Sequence, residues 1–296
     1  MNYSLQVVLA ALVAVCLVIA GCTTPGPSPE NEVKILYTRG TGPMPTLLAT
    51  DQIDGYIAWQ PFVEVAPLAG IGKVLVYSGD LPPEGKWVNH PCCVFAARQD
   101  AISNSPDLTN ALTAALILST RYIDEHPNES AEIVADWLAG KGNFTYGDVS
   151  VSSVEVLQRA FPTVKFVNEP TEEWKTDQLE FVYAQRELGL LTGSLQNSTD
   201  QESIDLLFDS SPYDAAAAMI ESGSITTPPR QARQVGLGYL LSDHHAALFV
   251  AVKNWQYFEE TYGIAIKPRD QAASRPEIAD LVVNGQPVAE LKLISA

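Results

Sequence analysis

Along most of the chain, short runs of β-branched and aromatic residues alternate with longer stretches whose apolar positions recur every three to four residues. That alternation predicts an α/β fold of buried strands and amphipathic helices. Strands are expected at 33–38, 54–59, 73–77 and 92–98, and short helices at 44–50 and 61–68. Pro43, Pro45 and Pro61 suit the first turns of those helices. Helical spacing then fills 108–125, with Asp107 as its cap, and 128–139, which follows Pro127 and stops at Gly140. Further helices are expected at 150–161, 171–190 and 212–221. Residues 225–233, with Pro228-Pro229 and two arginines, read as a linker. The pattern then restarts with a strand at 235–241, a helix at 245–262 and a strand at 264–267. Two last apolar runs, 279–283 and 288–294, flank Asn284-Gly285, a strong short hairpin signal. Strands 235–241 and 291–294 are expected to lie parallel in one small sheet, with helix 245–262 over one face.

The N-terminal residues break this pattern. Residues 7–20 form an unbroken apolar run of 14, short for a bilayer-spanning helix and suited to the apolar region of an export signal. The run leads into Ile19-Ala20-Gly21-Cys22, small residues before a cysteine whose thiol can receive a lipid. Residues 1–6 carry no Lys or Arg, unlike most export signals, and an uncleaved anchor helix is the competing reading. Residues 23–32 are polar and Pro-rich, the composition of an extended tether. The chain thus divides into a lipoprotein signal (1–22), a tether (23–32), an α/β domain (33–226) and a linker with a further α/β segment (227–296).

The formal net charge of −17 disfavours binding to nucleic acid or an anionic membrane surface through bulk charge. Four cysteines, two of them in the N-terminal segment, make no disulfide framework. Cys92 and Cys93 are adjacent, so a bridge between them is strained. They sit beside His90 in an apolar run, where thiols are usually packed and inert. No Gly-x-Ser-x-Gly, phosphate-binding loop or zinc-ligand spacing occurs, so no catalytic residue, metal site or cofactor is assigned and the chain is not expected to be an enzyme.

Leu47-Leu48-Ala49-Thr50-Asp51-Gln52-Ile53-Asp54-Gly55-Tyr56-Ile57-Ala58-Trp59-Gln60-Pro61-Phe62 resembles a segment of the nitrate/sulfonate/taurine substrate-binding proteins of ABC importers. Gly72-Lys73-Val74-Leu75 and His90-Pro91-Cys92-Cys93-Val94 continue that resemblance in order. Gly238-Tyr239-Leu240-Leu241-Ser242-Asp243-His244-His245-Ala246-Ala247 resembles the family's first strand and the ligand loop after it. The resemblance implies a periplasmic-binding-protein-like, two-lobed α/β architecture, here with second-lobe material first and the first lobe incomplete, as in a circular permutation that has lost its C-terminal part. It further implies a solute-binding lipoprotein held at the outer face of the cell membrane by a lipid anchor. Such a protein closes on a small anion or zwitterion (nitrate, an alkanesulfonate, taurine, bicarbonate or a pyrimidine precursor) and docks on an ABC permease and ATPase. A ligand-sensing lipoprotein without a transport role, and a thiamine-precursor-type binder or enzyme of the same fold, are the alternatives.

In such a fold the ligand meets loops at the C-terminal ends of strands, where helix N-termini present unpaired N–H groups. Ser242, Asp243, His244 and His245 fit that position, although a plain helix cap explains them as well. Trp59 offers a flat apolar wall and Gln60 an amide that can donate to an anion; the alternative for Trp59 is core packing. Thr38 and Arg39, with Met44 after the Gly40 and Gly42 turn, suit an oxyanion site or a simple strand-to-helix turn. The first expectation open to direct measurement is the anchor. Mass spectrometry of the native protein should find an N-terminus at lipidated Cys22, and an intact Met1 or an unmodified Cys22 would refute it.

Overall fold

The computed structural model describes residues 32–88, 91–140, 142–223, 234–268, 278–283 and 292–293. The chain forms two units, Met1–Gly40 and Thr41–Ala296. In the first, residues 32–38 are irregular, with Val33, Ile35 and Tyr37 exposed. The stretch ends in a tight bend. The Thr38 hydroxyl donates to the Gly40 carbonyl at 2.7 Å, and Arg39 takes a left-handed φ of 58°. The expected strand at 33–38 is therefore not formed.

The second unit is mixed α/β and mostly helical. It opens with α1 (Met44–Ala49) and α2 (Phe62–Leu68), followed by α3 (Gln99–Asn104). The stretches expected as strands at 54–59, 73–77 and 92–98 are irregular instead, and Ile57 and Leu75 are each 94% exposed. Their composition suits a buried sheet. A parallel strand, however, needs neighbours for its N–H and C=O groups, and no ladder joins these segments among the described residues.

The centre of the unit is α4 (Pro106–Glu125), which buries Leu108, Ala111, Leu112, Ala115, Ser119 and Ile123 along one stripe. His126 ends it, because the residue before a proline is pushed out of the α region. Pro127 then occupies the first turn of α5 (Pro127–Ala139), which closes on left-handed Gly140 (φ 55°). A hairpin follows, β1 (Asn143–Tyr146) paired antiparallel with β2 (Val149–Ser152). Its turn is Gly147-Asp148, with Gly147 at φ 59°, and β2 occupies the first residues of the helix expected at 150–161. The helix α6 (Ser153–Ala160) starts only at Ser153, where the Ser152 hydroxyl accepts from Glu155 N. Val65, Tyr146, Val151 and Val156 form a small second core between α2, the hairpin and α6.

Helices α7 (Glu172–Glu187), α8 (Asp200–Leu207) and α9 (Ser211–Ser222) follow. The sequence reading did not assign α8. It carries a full capping box, Thr199 and Glu202 each bonding the other's backbone N–H.

After residues 224–233, which lie outside the described residues and hold the whole linker expected at 225–233, β3 (Gln234–Gly238) leads through a turn into α10 (Ala246–Lys253) and α11 (Trp255–Tyr262). The single helix expected at 245–262 is broken at Asn254, whose side-chain amide donates to the Val250 carbonyl at 2.9 Å and competes with the backbone ladder. Strands β4 (Ile264–Pro268), β5 (Ile278–Val283) and β6 (Lys292–Leu293) join β3 in a sheet ordered β4-β5-β3-β6. β5 runs antiparallel to both β4 and β3. β6 is parallel to β3, pairing Gly236 with Lys292 and Leu237 with Leu293, as expected of these two strands. The expected hairpin between 279–283 and 288–294 is not formed among the described residues, because β3 lies between β5 and β6. Asn284 and Gly285 themselves lie outside the described residues. Helix α11 packs on β4.

Trp137 of α5 stacks on Phe249 of α10 (centroids 5.0 Å apart, 16° between planes), and Tyr239 meets both rings edge-on. This triangle joins the C-terminal segment to the helices of the main core. Among the described residues no helix is long and apolar enough to cross a membrane. Phe249 is fully buried. Phe249→Ala should cost about 3–5 kcal/mol of unfolding free energy, seen in urea titration as a lower midpoint at unchanged slope; a loss below about 1 kcal/mol would mean that the aromatic triangle is peripheral.

Candidate functional site

The site is built on the turn between β3 and α10. Tyr239 is buried, Leu240 and Leu241 are partly exposed, and the chain then dives inward at Ser242 and Asp243, which are 2% and 0% exposed. Ser242 caps the 3₁₀ turn Asp243–His245 by accepting from His244 N at 3.3 Å. Its own hydroxyl donates to the backbone carbonyl of Gln60 at 3.0 Å, a bond spanning 182 positions of sequence. The turn after β3 and the segment before α2 are thereby held together.

Gln60 is buried, and its amide is committed within the protein. Nε2 donates to Thr163 Oγ1 at 2.8 Å and to Glu64 Oε1 at 3.2 Å. The same Glu64 oxygen accepts from the Tyr77 hydroxyl at 2.8 Å, so burial and this bond raise the Tyr77 phenol above its usual range. The carboxylate fixes the orientation of the amide, since the flipped form would set oxygen against oxygen. Gln60 therefore offers an acceptor, where the sequence reading proposed a donor to an anion. Among the described residues its Oε1 is buried without a partner, and so is Asp243 Oδ2. Such orphaned acceptors cost about 1–3 kcal/mol each if nothing fills them.

Burial raises the Asp243 carboxyl to about 6, against the opposing pull of the neighbouring His244 and the bond from Ser242. Burial depresses the His245 imidazole to about 4, aided by the charge of His244. For His244 burial acts downward, but the Cys92 thiol and the Asp243 carboxylate outweigh it and the imidazole titrates above its usual range.

Cys92 and Cys93 complete the site. Both are exposed and neither is in a disulfide, contrary to the packed strand in which the sequence reading placed them. Their Sγ atoms lie 3.5 and 3.4 Å from His244 Nδ1. The bond to Cys92, burial and the charges of Cys92 and Asp243 push the Cys93 thiol up. The cysteine pair is visible in the sequence, but its partner stands about 150 positions away, and no local spacing signals that. His90 lies outside the described residues.

Of the residues singled out from sequence, the structure thus brings together Gln60, Ser242, Asp243 and His244, with His245 next in the same turn. Trp59 is 44% exposed, on the residue before buried Gln60, and does not belong to the core. Met44 is half-buried at the start of α1. Thr38 and Arg39 belong to the other unit. A surface depression of about 560 Å³ lined by Asp124 and residues 162–167 touches this region only through Thr163.

Residues 21–139 match the NMT1-like family. That family belongs to the group of nitrate-, sulfonate- and taurine-binding periplasmic proteins, and it implies in general terms a small solute and ABC-transporter partners. No curated protein and no solved structure matches the chain. The NMT1-like segment holds α1 through α5 and supplies Gln60, Cys92 and Cys93, while Ser242, Asp243 and His244 come from beyond it.

Ser242→Ala removes the donor to the buried Gln60 carbonyl. The variant should lose about 1–3 kcal/mol of stability in chemical denaturation; an unchanged midpoint would show that the turn is not held by this bond.

Proposed function

We propose that the chain is an extracytoplasmic solute-binding lipoprotein that serves an ABC importer, anchored at the outer face of the membrane through Cys22, and a binder rather than an enzyme. The match of residues 21–139 to the NMT1-like family carries this reading. In the proposal the turn Ser242–His245 is the ligand loop of a first lobe, the NMT1-like segment is second-lobe material, and the two close on the solute by hinge motion.

The chemistry of the turn narrows the solute. Gln60 Oε1 and Asp243 Oδ2 are buried acceptors without partners among the described residues, and the residues that carry them are linked through Ser242. A solute that brings N–H donors satisfies them, whereas nitrate brings none. Among the candidate ligands, a zwitterion such as taurine therefore fits better than a bare anion.

Calorimetry on the full chain in detergent, with taurine, ethanesulfonate, bicarbonate and nitrate as probes, tests the reading. Taurine should bind, ethanesulfonate and nitrate should bind at least about tenfold more weakly, and Gln60→Leu should weaken taurine by about 1–3 kcal/mol. Binding of nitrate in preference to taurine would overturn the choice of solute. No heat from any of the four would count against the solute-binding reading itself.

A further inference from the structure

Cys92, Cys93 and His244 present two sulfurs and one nitrogen that all lie within 4.8 Å of one another. Side chains of adjacent residues ordinarily diverge, yet both thiols here face the same imidazole nitrogen, at 3.5 and 3.4 Å. Those separations have a specific meaning. With Zn–S near 2.3 Å and Zn–N near 2.0 Å, a tetrahedral zinc sets each sulfur roughly 3.5 Å from the nitrogen. One ion can thus reach all three donors with little movement of the chain. Both cysteines are exposed and outside any disulfide, so an ion can enter from solvent.

We propose that Cys92, Cys93 and His244 form a three-ligand site for a thiophilic divalent cation, zinc above all, with its fourth position open to water or a small ligand. The cation displaces the thiol protons, and His244 ligates through Nδ1 with its remaining proton on Nε2. Two thiolates and a neutral imidazole balance the charge of the ion. Side chains from the NMT1-like segment and from the β3–α10 turn then share one metal, which cross-links two distant parts of the chain. The proposal stands independently of the solute-binding reading, because it uses neither the identity of a solute nor transport.

The test uses the full chain carrying C16A and C22A, so that Cys92 and Cys93 are its only thiols, reduced with a phosphine and freed of metal in detergent. Titration with Co(II) should give one ion per chain, sulfur-to-cobalt charge-transfer absorption and the intense visible bands of a four-coordinate site, all abolished by stoichiometric Zn(II). The double variant Cys92→Ser, Cys93→Ser and the variant His244→Ala should each lose affinity by more than the roughly 10–100-fold that outer-shell changes cost, whereas His126→Gln should leave the spectrum unchanged. X-ray absorption of the zinc form gives a second reading that does not depend on the variants, and should show sulfur neighbours near 2.3 Å. Absence of the charge-transfer band, its persistence in the double cysteine variant, an unchanged cobalt affinity in His244→Ala, or a zinc shell of oxygen and nitrogen only would overturn the proposal.

Discussion

The arrangement depends on the burial of α10. Six of its eight residues, Ala246, Leu248, Phe249, Val250, Ala251 and Val252, are buried, and a helix apolar on nearly every side has no stable position except inside a core. It packs against α4 and α5, with Phe249 on Trp137. The turn that precedes it must therefore lie at the edge of that core. Ser242 and Asp243 are carried inward with it, and the Ser242–Gln60 bond ties the turn to the NMT1-like segment. Apolar packing here sets where the polar chemistry can occur.

The polar groups so placed are incompletely satisfied, which is uncommon for buried atoms. Glu64 accepts from Gln60 and Tyr77, and Thr163 accepts from Gln60, so that among the described residues one acceptor is left over on Gln60 and another on Asp243. Beside them two exposed thiols face one imidazole. Buried acceptors and exposed thiols are complementary to hydrogen-bond donors and to cations. A strongly acidic chain attracts such partners over longer range.

The helices were the legible part of the fold. Pro127 and Gly140 bracket α5 by steric rules that operate within a few residues, and the apolar stripe of α4 repeats over 20 residues. The hairpin at 143–152 and helix α8 carry local signals, Gly147-Asp148 and Thr199-x-x-Glu202, in short stretches where the longer apolar periods assign no element. The strand assignments at 54–59, 73–77 and 92–98 failed for another reason. Strand composition records a preference for a half-buried ladder, and whether a neighbour is present is a tertiary fact that no local window contains. The candidate site divides in the same way. Ser242, Asp243, His244 and Gln60 could be picked out as polar residues near element ends, whereas the approach of Cys92 and Cys93 to His244 depends on how α10 packs.

The central claim is that the turn after β3 meets the Cys92–Cys93 pair, and the most direct measurement is of that proximity. The imidazole C–H resonances of the metal-free, reduced protein can be followed by NMR as Cys92 and Cys93 are alkylated with iodoacetamide. The account predicts that the His244 resonances move strongly, while those of His126, at the junction of α4 and α5, stay in place. His244 resonances unchanged after complete alkylation of both thiols would contradict it.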